Sequence, residues 1–127
     1  MTKNINEVDR VKRFPLLIRG MENPSEEVQM AAIDHSLYLI RDIENPTINV
    51  MLYVVNQDGY MLEYLYEPPQ EVQVAAIRNN PYAIRFVKNK TPEMQLLAIM
   101  NNPDVIHHII NLHDDAIEYL KSAGIYK

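Results

Sequence analysis

The chain contains no cysteine and no tryptophan, and only three glycines, Gly20, Gly59 and Gly124, in 127 residues. Without cysteine there is no disulfide framework, zinc knuckle, iron–sulfur cluster or thiol nucleophile. Three scattered glycines cannot build a phosphate-cradling loop, and no serine sits in a hydrolase-type motif with a histidine and an acid. No apolar run approaches the roughly 20 residues of a membrane-spanning helix. The charged stretch Lys3, Glu7, Asp9, Arg10, Lys12 and Arg13 leaves no space for a signal-peptide core. The expectation is a soluble, cytoplasmic protein. Positive charge is also scarce: twelve Lys and Arg face seventeen Asp and Glu, for a net charge of −5. That balance opposes general electrostatic attachment to nucleic acid.

What the chain does have is a repeat. At a shift of 22 residues, Glu27-Val28-Gln29-Met30-Ala31-Ala32-Ile33 recurs as Glu71-Val72-Gln73-Val74-Ala75-Ala76-Ile77 and as Glu93-Met94-Gln95-Leu96-Leu97-Ala98-Ile99. A diverged copy, Asn49-Val50-Met51-Leu52-Tyr53-Val54-Val55, keeps the register between them. Five units fit without insertion, as 3–24, 25–46, 47–68, 69–90 and 91–112, and a partial sixth, 113–127, adds one helix. Periods in this range mark stacked supersecondary units, none of which can bury its apolar face alone.

Each unit reads as two short helices. Ser25, Thr47 and Thr91 suit the N-cap of the first, with Pro92 at a tolerated first-turn position and Glu26, Glu27 and Glu93 near the positive dipole end. Apolar residues occupy most of that helix, leaving narrow polar strips at positions 29 and 34, and Ala32, Ala76 and Ala98 share a close-approach column. The second helix, opened by Pro15, Gly59, Pro81 and Pro103, carries a single apolar stripe typified by Leu39, Ile40 and Ile43. Asn23, Asn45, Asn89 and Asn111 then share a column suited to a left-handed turn. The predicted architecture is an all-α single-domain solenoid of five two-helix repeats plus a C-terminal capping helix, a rod on the order of 50 Å long.

The phrases Asn23-Pro24-Ser25-Glu26-Glu27-Val28-Gln29 and Gln70-Glu71-Val72-Gln73-Val74-Ala75-Ala76-Ile77-Arg78-Asn79-Asn80-Pro81-Tyr82 resemble the short two-helix repeats of uncharacterised phage and bacterial proteins. These are distantly similar to leucine-rich-variant and HEAT-like repeats. The resemblance spans nearly the whole chain and implies a scaffold that binds other macromolecules, phage-encoded and directed at a host component. It brings no catalytic residues with it. The third unit departs from the pattern, with Tyr53 in place of Ala31 and Ala75, and Asp58-Gly59 in place of Asn80-Pro81.

The second helices supply the candidate contact surface. One column holds Leu16, Tyr38, Tyr60, Tyr82, Asp104 and Tyr126; three residues on comes Arg19, Arg41, Glu63, Arg85 and His107. Residues three apart share a helix face, so Tyr38 with Arg41 and Tyr82 with Arg85 form a ladder. Tyrosine and arginine are the side chains enriched at binding hot spots; interlayer packing, with arginine paired to Asp42 or Glu44, is the plainer reading. Tyr60, Glu63, Tyr64, Tyr66 and Glu67 make the central unit aromatic and acidic, either as a specificity patch or as drift. The proposed partner-binding set is therefore Tyr38, Arg41, Tyr60, Glu63, Tyr64, Tyr82 and Arg85. Gln29, Gln73 and Gln95 form a further column, interrupted by Met51, that fits either interlayer hydrogen bonds or a groove lining.

No metal, cofactor or catalytic site is predicted. His107 and His108 are adjacent and point apart, and His113 lies across a unit boundary. Asp114 and Asp115 read as dipole stabilisation of the last helix. The expected function is a non-catalytic protein-protein interaction module, an inhibitor or adaptor. The alternative is a nucleic-acid-binding repeat in which stacked tyrosines and Arg19, Arg41 and Arg85 follow a strand. Self-association is a third possibility: the polar first unit (Asn6, Asp9, Arg10) resembles a cap, whereas Ile117, Tyr119, Leu120 and Ile125 leave the other end less closed.

Overall fold

The 22-residue periodicity is carried directly into the backbone. The computed structural model describes residues 6–125; residues 3–5 of the first predicted unit, and Tyr126, lie outside them. Among the described residues six α-helices alternate with five 3₁₀ helices: α1 (Asn6–Arg13), α2 (Glu26–His35), α3 (Ile48–Gln57), α4 (Gln70–Asn79), α5 (Pro92–Asn101) and α6 (Asp114–Ser122). Between them run the 3₁₀ helices Pro15–Gly20, Leu37–Asp42, Gly59–Tyr64, Pro81–Phe86 and Pro103–His108. From α2 onward the α-helices begin at 26, 48, 70, 92 and 114, without a residue of slippage. There is no strand among the described residues.

Capping explains that regularity. Ser25 Oγ accepts from the Val28 N–H, Thr47 Oγ1 from Val50 and Thr91 Oγ1 from Met94, each at 3.2 Å. Pro69 gives α4 no side-chain cap, and His113 Nδ1 accepts from the Asp115 N–H at 3.2 Å to start α6. Asp114 and Asp115 thus occupy its first turn, where carboxylates complement the dipole. A second series caps the 3₁₀ helices: Ser36, Asp58, Asn80 and Asn102 each accept from the N–H two residues on. These residues end one helix and begin the next, which keeps the intervening turn short.

The second helices are 3₁₀ rather than α. Six residues between two extended caps are too few for a stable α-helix, and at three residues per turn positions i and i+3 eclipse. The loops that follow turn through positive φ at Asn23 (47°), Asn45 (55°), Glu67 (45°) and Asn111 (60°). Three of the four asparagines thus adopt the expected conformation. Asn89 does not, and its loop is held differently: Lys90 Nζ donates to the Val87 carbonyl at 2.7 Å. Glu67 takes the left-handed turn that no asparagine fills in the third unit.

Packing is sequential. Each α-helix lies on the α-helix of the next unit, each 3₁₀ helix lies on the next 3₁₀ helix, and each of α2 to α5 contacts the 3₁₀ helices on either side. The column Ala32, Val54, Ala76, Ala98 and Leu120 has no solvent exposure, which fits the close approach its small members allow. Val28, Val50, Val72 and Met94 are buried one turn earlier. Ile33, Ile77, Ile84 and Ile99 are among the largest fully buried side chains, each contributing roughly 1.5–3 kcal/mol of transfer free energy. The core divides inside the third unit. Val50, Val54 and Met61 belong to the group reaching back to Val11, whereas Val55 and Leu62 belong to the group running on to Leu120.

The expected polar strip at position 29 is corrected. Gln29 and Gln95 are buried, 2% and 6% exposed, because both ends of the amide are used. Gln29 Nε2 donates to the Pro24 carbonyl at 3.0 Å while its Oε1 accepts from the Thr47 N–H at 3.1 Å, tying one unit to the next. Gln95 repeats the bridge from the Lys90 carbonyl to the His113 N–H, at 3.0 and 2.8 Å. Gln73 donates to the Pro68 carbonyl. Of the two readings of this column, interlayer hydrogen bonding is the one observed.

At the C-terminal end, Ala116 and Leu120 of α6 are buried, while Ile117 and Tyr119 are half-buried and Ile125 is exposed.

Candidate functional site

The 3₁₀ helices put the tyrosine and arginine columns along one edge of the molecule. Eclipsing sets Tyr38 beside Arg41: Arg41 Nε donates to the Tyr38 carbonyl at 3.2 Å, and its guanidinium carbon lies 5.7 Å from the Tyr38 ring centre. The same carbon is 5.3 Å from the ring of Tyr64, one unit further on. Arg41 is therefore held against two rings from successive layers. Cation–π contacts at this range are worth about 0.5–1 kcal/mol each at exposed sites.

The tyrosines do not stack on one another. Each pairs edge-on with the aromatic residue 26 positions later: Tyr38 with Tyr64 (centroids 5.9 Å, 69°), Tyr60 with Phe86 (5.9 Å, 78°) and Tyr82 with His108 (5.5 Å, 78°). The second partner comes from the column Asp42, Tyr64, Phe86 and His108, which follows the tyrosine column by four residues. In the first layer, that column meets an arginine as an ion pair: Arg19 Nε lies 3.2 Å from Asp42 Oδ2, though not aligned as a hydrogen bond. Arg19 is to Asp42 what Arg41 is to Tyr64.

Five of the seven predicted contact residues converge. Tyr38, Tyr60, Glu63, Tyr64 and Arg85 line an open hollow of about 370 Å³, together with Asp58, Met61 and Phe86. Arg41 and Tyr64 also border a second hollow of about 350 Å³, over Ile43, Pro46, Met51 and Leu65. Tyr82 lies outside both; it packs on His108, and the Asn102 amide approaches its hydroxyl at 3.5 Å. The pairing expected between Tyr82 and Arg85 is not made. Arg85 lies instead over Phe86, 5.4 Å from the ring centre.

Exposure sorts the aromatic residues further. Tyr38 is 51% exposed, Tyr60 38% and Tyr64 36%, whereas Tyr66, in the loop beyond, is 86% exposed. Glu63 is exposed and makes no ion pair or hydrogen bond among the described residues. Besides Met61, which belongs to the buried apolar stripe, Phe86 and Asp58 are the members of the hollow outside the predicted contact set. Their signal was present: Phe86 shares the column of Tyr64, and Asp58 shares that of Asn80 and Asn102.

Among the described residues no three His, Asp or Glu side chains gather as a metal set. His108 is occupied by Tyr82 and His113 by the cap of α6. Among the described residues no helix is long and apolar enough to cross a membrane. Comparisons with family models, with curated proteins and with solved structures find no match to this chain.

Proposed function

We propose that the chain is a short α-solenoid, five two-helix units closed by α6, that works as a non-catalytic protein-binding module. Sequential packing supports the solenoid, since every unit touches only its neighbours to a substantial degree. The observation that carries the binding reading is the row of consecutive 3₁₀ helices on which Tyr38, Tyr60 and Tyr64 remain a third to a half exposed, with Arg41 held against Tyr38 and Tyr64. Aromatic and arginine side chains prepositioned by packing lose little conformational entropy when a partner covers them. The phage-like repeat pattern fits an inhibitor or adaptor that engages a host protein in the host cytoplasm.

Nucleic-acid binding is less well supported. Arg19 is committed to Asp42 and Arg41 to two tyrosine rings, so the arginine column is largely spent within the molecule. Glu63 interrupts it at the centre.

Affinity capture from bacterial lysate, with and without nuclease, tests the reading. The expected result is a protein retained after nuclease treatment and lost when the bait carries Tyr60→Ala with Tyr64→Ala, while helical circular dichroism is unchanged. Retention by the double variant overturns the assigned surface. Capture that disappears with nuclease and depends steeply on salt overturns the protein-binding reading in favour of nucleic acid.

A further inference from the structure

The repeat makes one layer a template for the next, and one substitution between them leaves a seat without its occupant. In the Tyr38–Tyr64 layer, Arg41 supplies a guanidinium to both rings. In the next layer the corresponding rings, Tyr60 and Phe86, keep the same 5.9 Å edge-on arrangement, but the residue in the Arg41 position is Glu63. Charge there is reversed rather than merely removed. Arg85 lies over Phe86, so Tyr60 is the ring of the pair with no cation over it among the described residues.

Resting on the protein-binding reading above, we propose that this hollow receives an arginine side chain of the partner, with its guanidinium against Tyr60 and in a salt bridge to Glu63. Three observations support this choice of chemistry. The rings and the carboxylate of Glu63 line one hollow of about 370 Å³, large enough for a side chain. A second carboxylate, Asp58, borders it and uses Oδ1 to cap the Tyr60 N–H, while its other oxygen has no hydrogen-bond partner among the described residues. The chain also carries a net charge of −5, which favours the approach of a basic segment. A planar guanidinium suits the site better than an ammonium, because it can stack on a ring while forking to a carboxylate, and Arg41 displays the ring contact one layer away. Arg85, on the far ring, sets a limit: a partner offering two adjacent cations would meet repulsion there.

The test is a titration of the intact ¹⁵N-labelled protein, followed by NMR, with the capped single-arginine peptide Gly-Gly-Arg-Gly-Gly and its citrulline counterpart, equal in shape and uncharged. The arginine peptide is expected to shift the signals of Tyr60, Glu63 and Phe86, with the citrulline peptide at least about 5-fold weaker. Glu63→Gln is expected to weaken binding by about 5-fold. Glu63→Arg, which supplies a guanidinium from within as Arg41 does, is expected to abolish the localised shifts while preserving the helical spectrum. Equal binding of the two peptides, shifts spread over the acidic surface, or undiminished binding by Glu63→Arg each overturn the seat. So does a poly-dT oligonucleotide that shifts the same signals where the peptide does not. A captured protein that is lost from Tyr60→Ala/Tyr64→Ala yet still held by Glu63→Arg removes the arginine seat alone; one held by both removes the contact surface as well.

Discussion

Replacing Gln29 with methionine isolates the hydrogen bonds that join one unit to the next, because methionine is close in volume and is the residue the third unit already uses at Met51. In the wild type, the buried amide satisfies the Pro24 carbonyl and the Thr47 N–H simultaneously. A thioether can serve neither, and each buried group left unpaired costs about 1–3 kcal/mol. Thr47 is only partly buried, so water recovers some of the loss and the sum comes to about 3 kcal/mol. Against a total of about 5–15 kcal/mol that is a large fraction, and it moves a urea midpoint by about 2 M for a slope near 1.5 kcal/mol/M. Gln73→Met is the internal comparison: Gln73 makes only the bond to the Pro68 carbonyl, so its loss is about 1 kcal/mol. The reciprocal experiment uses the third unit. Met51→Gln by itself regains at most a bond to the Pro46 carbonyl, like the one Gln73 makes to Pro68, because the N-cap that would donate to its Oε1 is Pro69, which has no N–H. Combined with Pro69→Thr it recovers the bridge, with a coupling free energy of about 1 kcal/mol in a double-mutant cycle. The reasoning fails if Gln29→Met costs no more than Gln73→Met, or if Met51→Gln is equally stabilising with and without threonine at position 69.

Gly59→Ala is expected to destabilise by more than about 2 kcal/mol in the same urea assay, since a Cβ there would lie 2.5 Å from the Ala76 carbonyl oxygen and 3.1 Å from Asn80 Cβ, and backbone cannot step aside. Glu67→Asn places in the left-handed turn (φ 45°) the residue that Asn23, Asn45 and Asn111 provide elsewhere, and is expected to add about 1 kcal/mol, read as a higher melting temperature. Thr91→Ala removes the 3.2 Å cap on the Met94 N–H and should cost about 1 kcal/mol, whereas Pro69→Ala, with no side-chain cap to lose, should cost less. Arg19→Ala breaks an ion pair whose side chains are 57% and 24% exposed; a loss below about 1 kcal/mol that shrinks further in 1 M salt is the expected outcome.

Much of the backbone was legible from columns. Ser25, Thr47 and Thr91 marked the starts of α2, α3 and α5 because a side-chain acceptor at an N-cap is a local, one-residue device. The turn that no asparagine marked, at Glu67, and the asparagine that makes no such turn, Asn89, show where a column of like residues stops being a reliable guide: the loop conformation also depends on neighbours such as Lys90. The 3₁₀ character of the second helices was not legible, because an apolar spacing such as Leu39, Ile40 and Ile43 fits either helix type over six residues. Nor were the aromatic pairs. They join residues 26 apart, one period plus four, and a comparison made at the period alone never sets Tyr60 beside Phe86.

Departures of the third unit from its neighbours can be divided by asking which are answered elsewhere. Met51 is answered by Pro69, the N-cap with no N–H to offer. Gly59 is answered by α4: the Asn79 side chain accepts from the Gly59 N–H at 2.7 Å and donates to the Asn56 carbonyl at 2.9 Å, closing the two units where no Cβ fits. The core also divides at this joint, between Val54 and Val55. Glu63 and Tyr66 have no such answer: one is an exposed carboxylate without a partner among the described residues, the other a tyrosine with 86% of its surface in solvent. An exposed tyrosine contributes little to stability, and a carboxylate in the place of Arg41 forgoes two ring contacts that the preceding layer enjoys. Packing therefore accounts for the departures that face inward, and the proposed recognition of a partner would account for the two that face out.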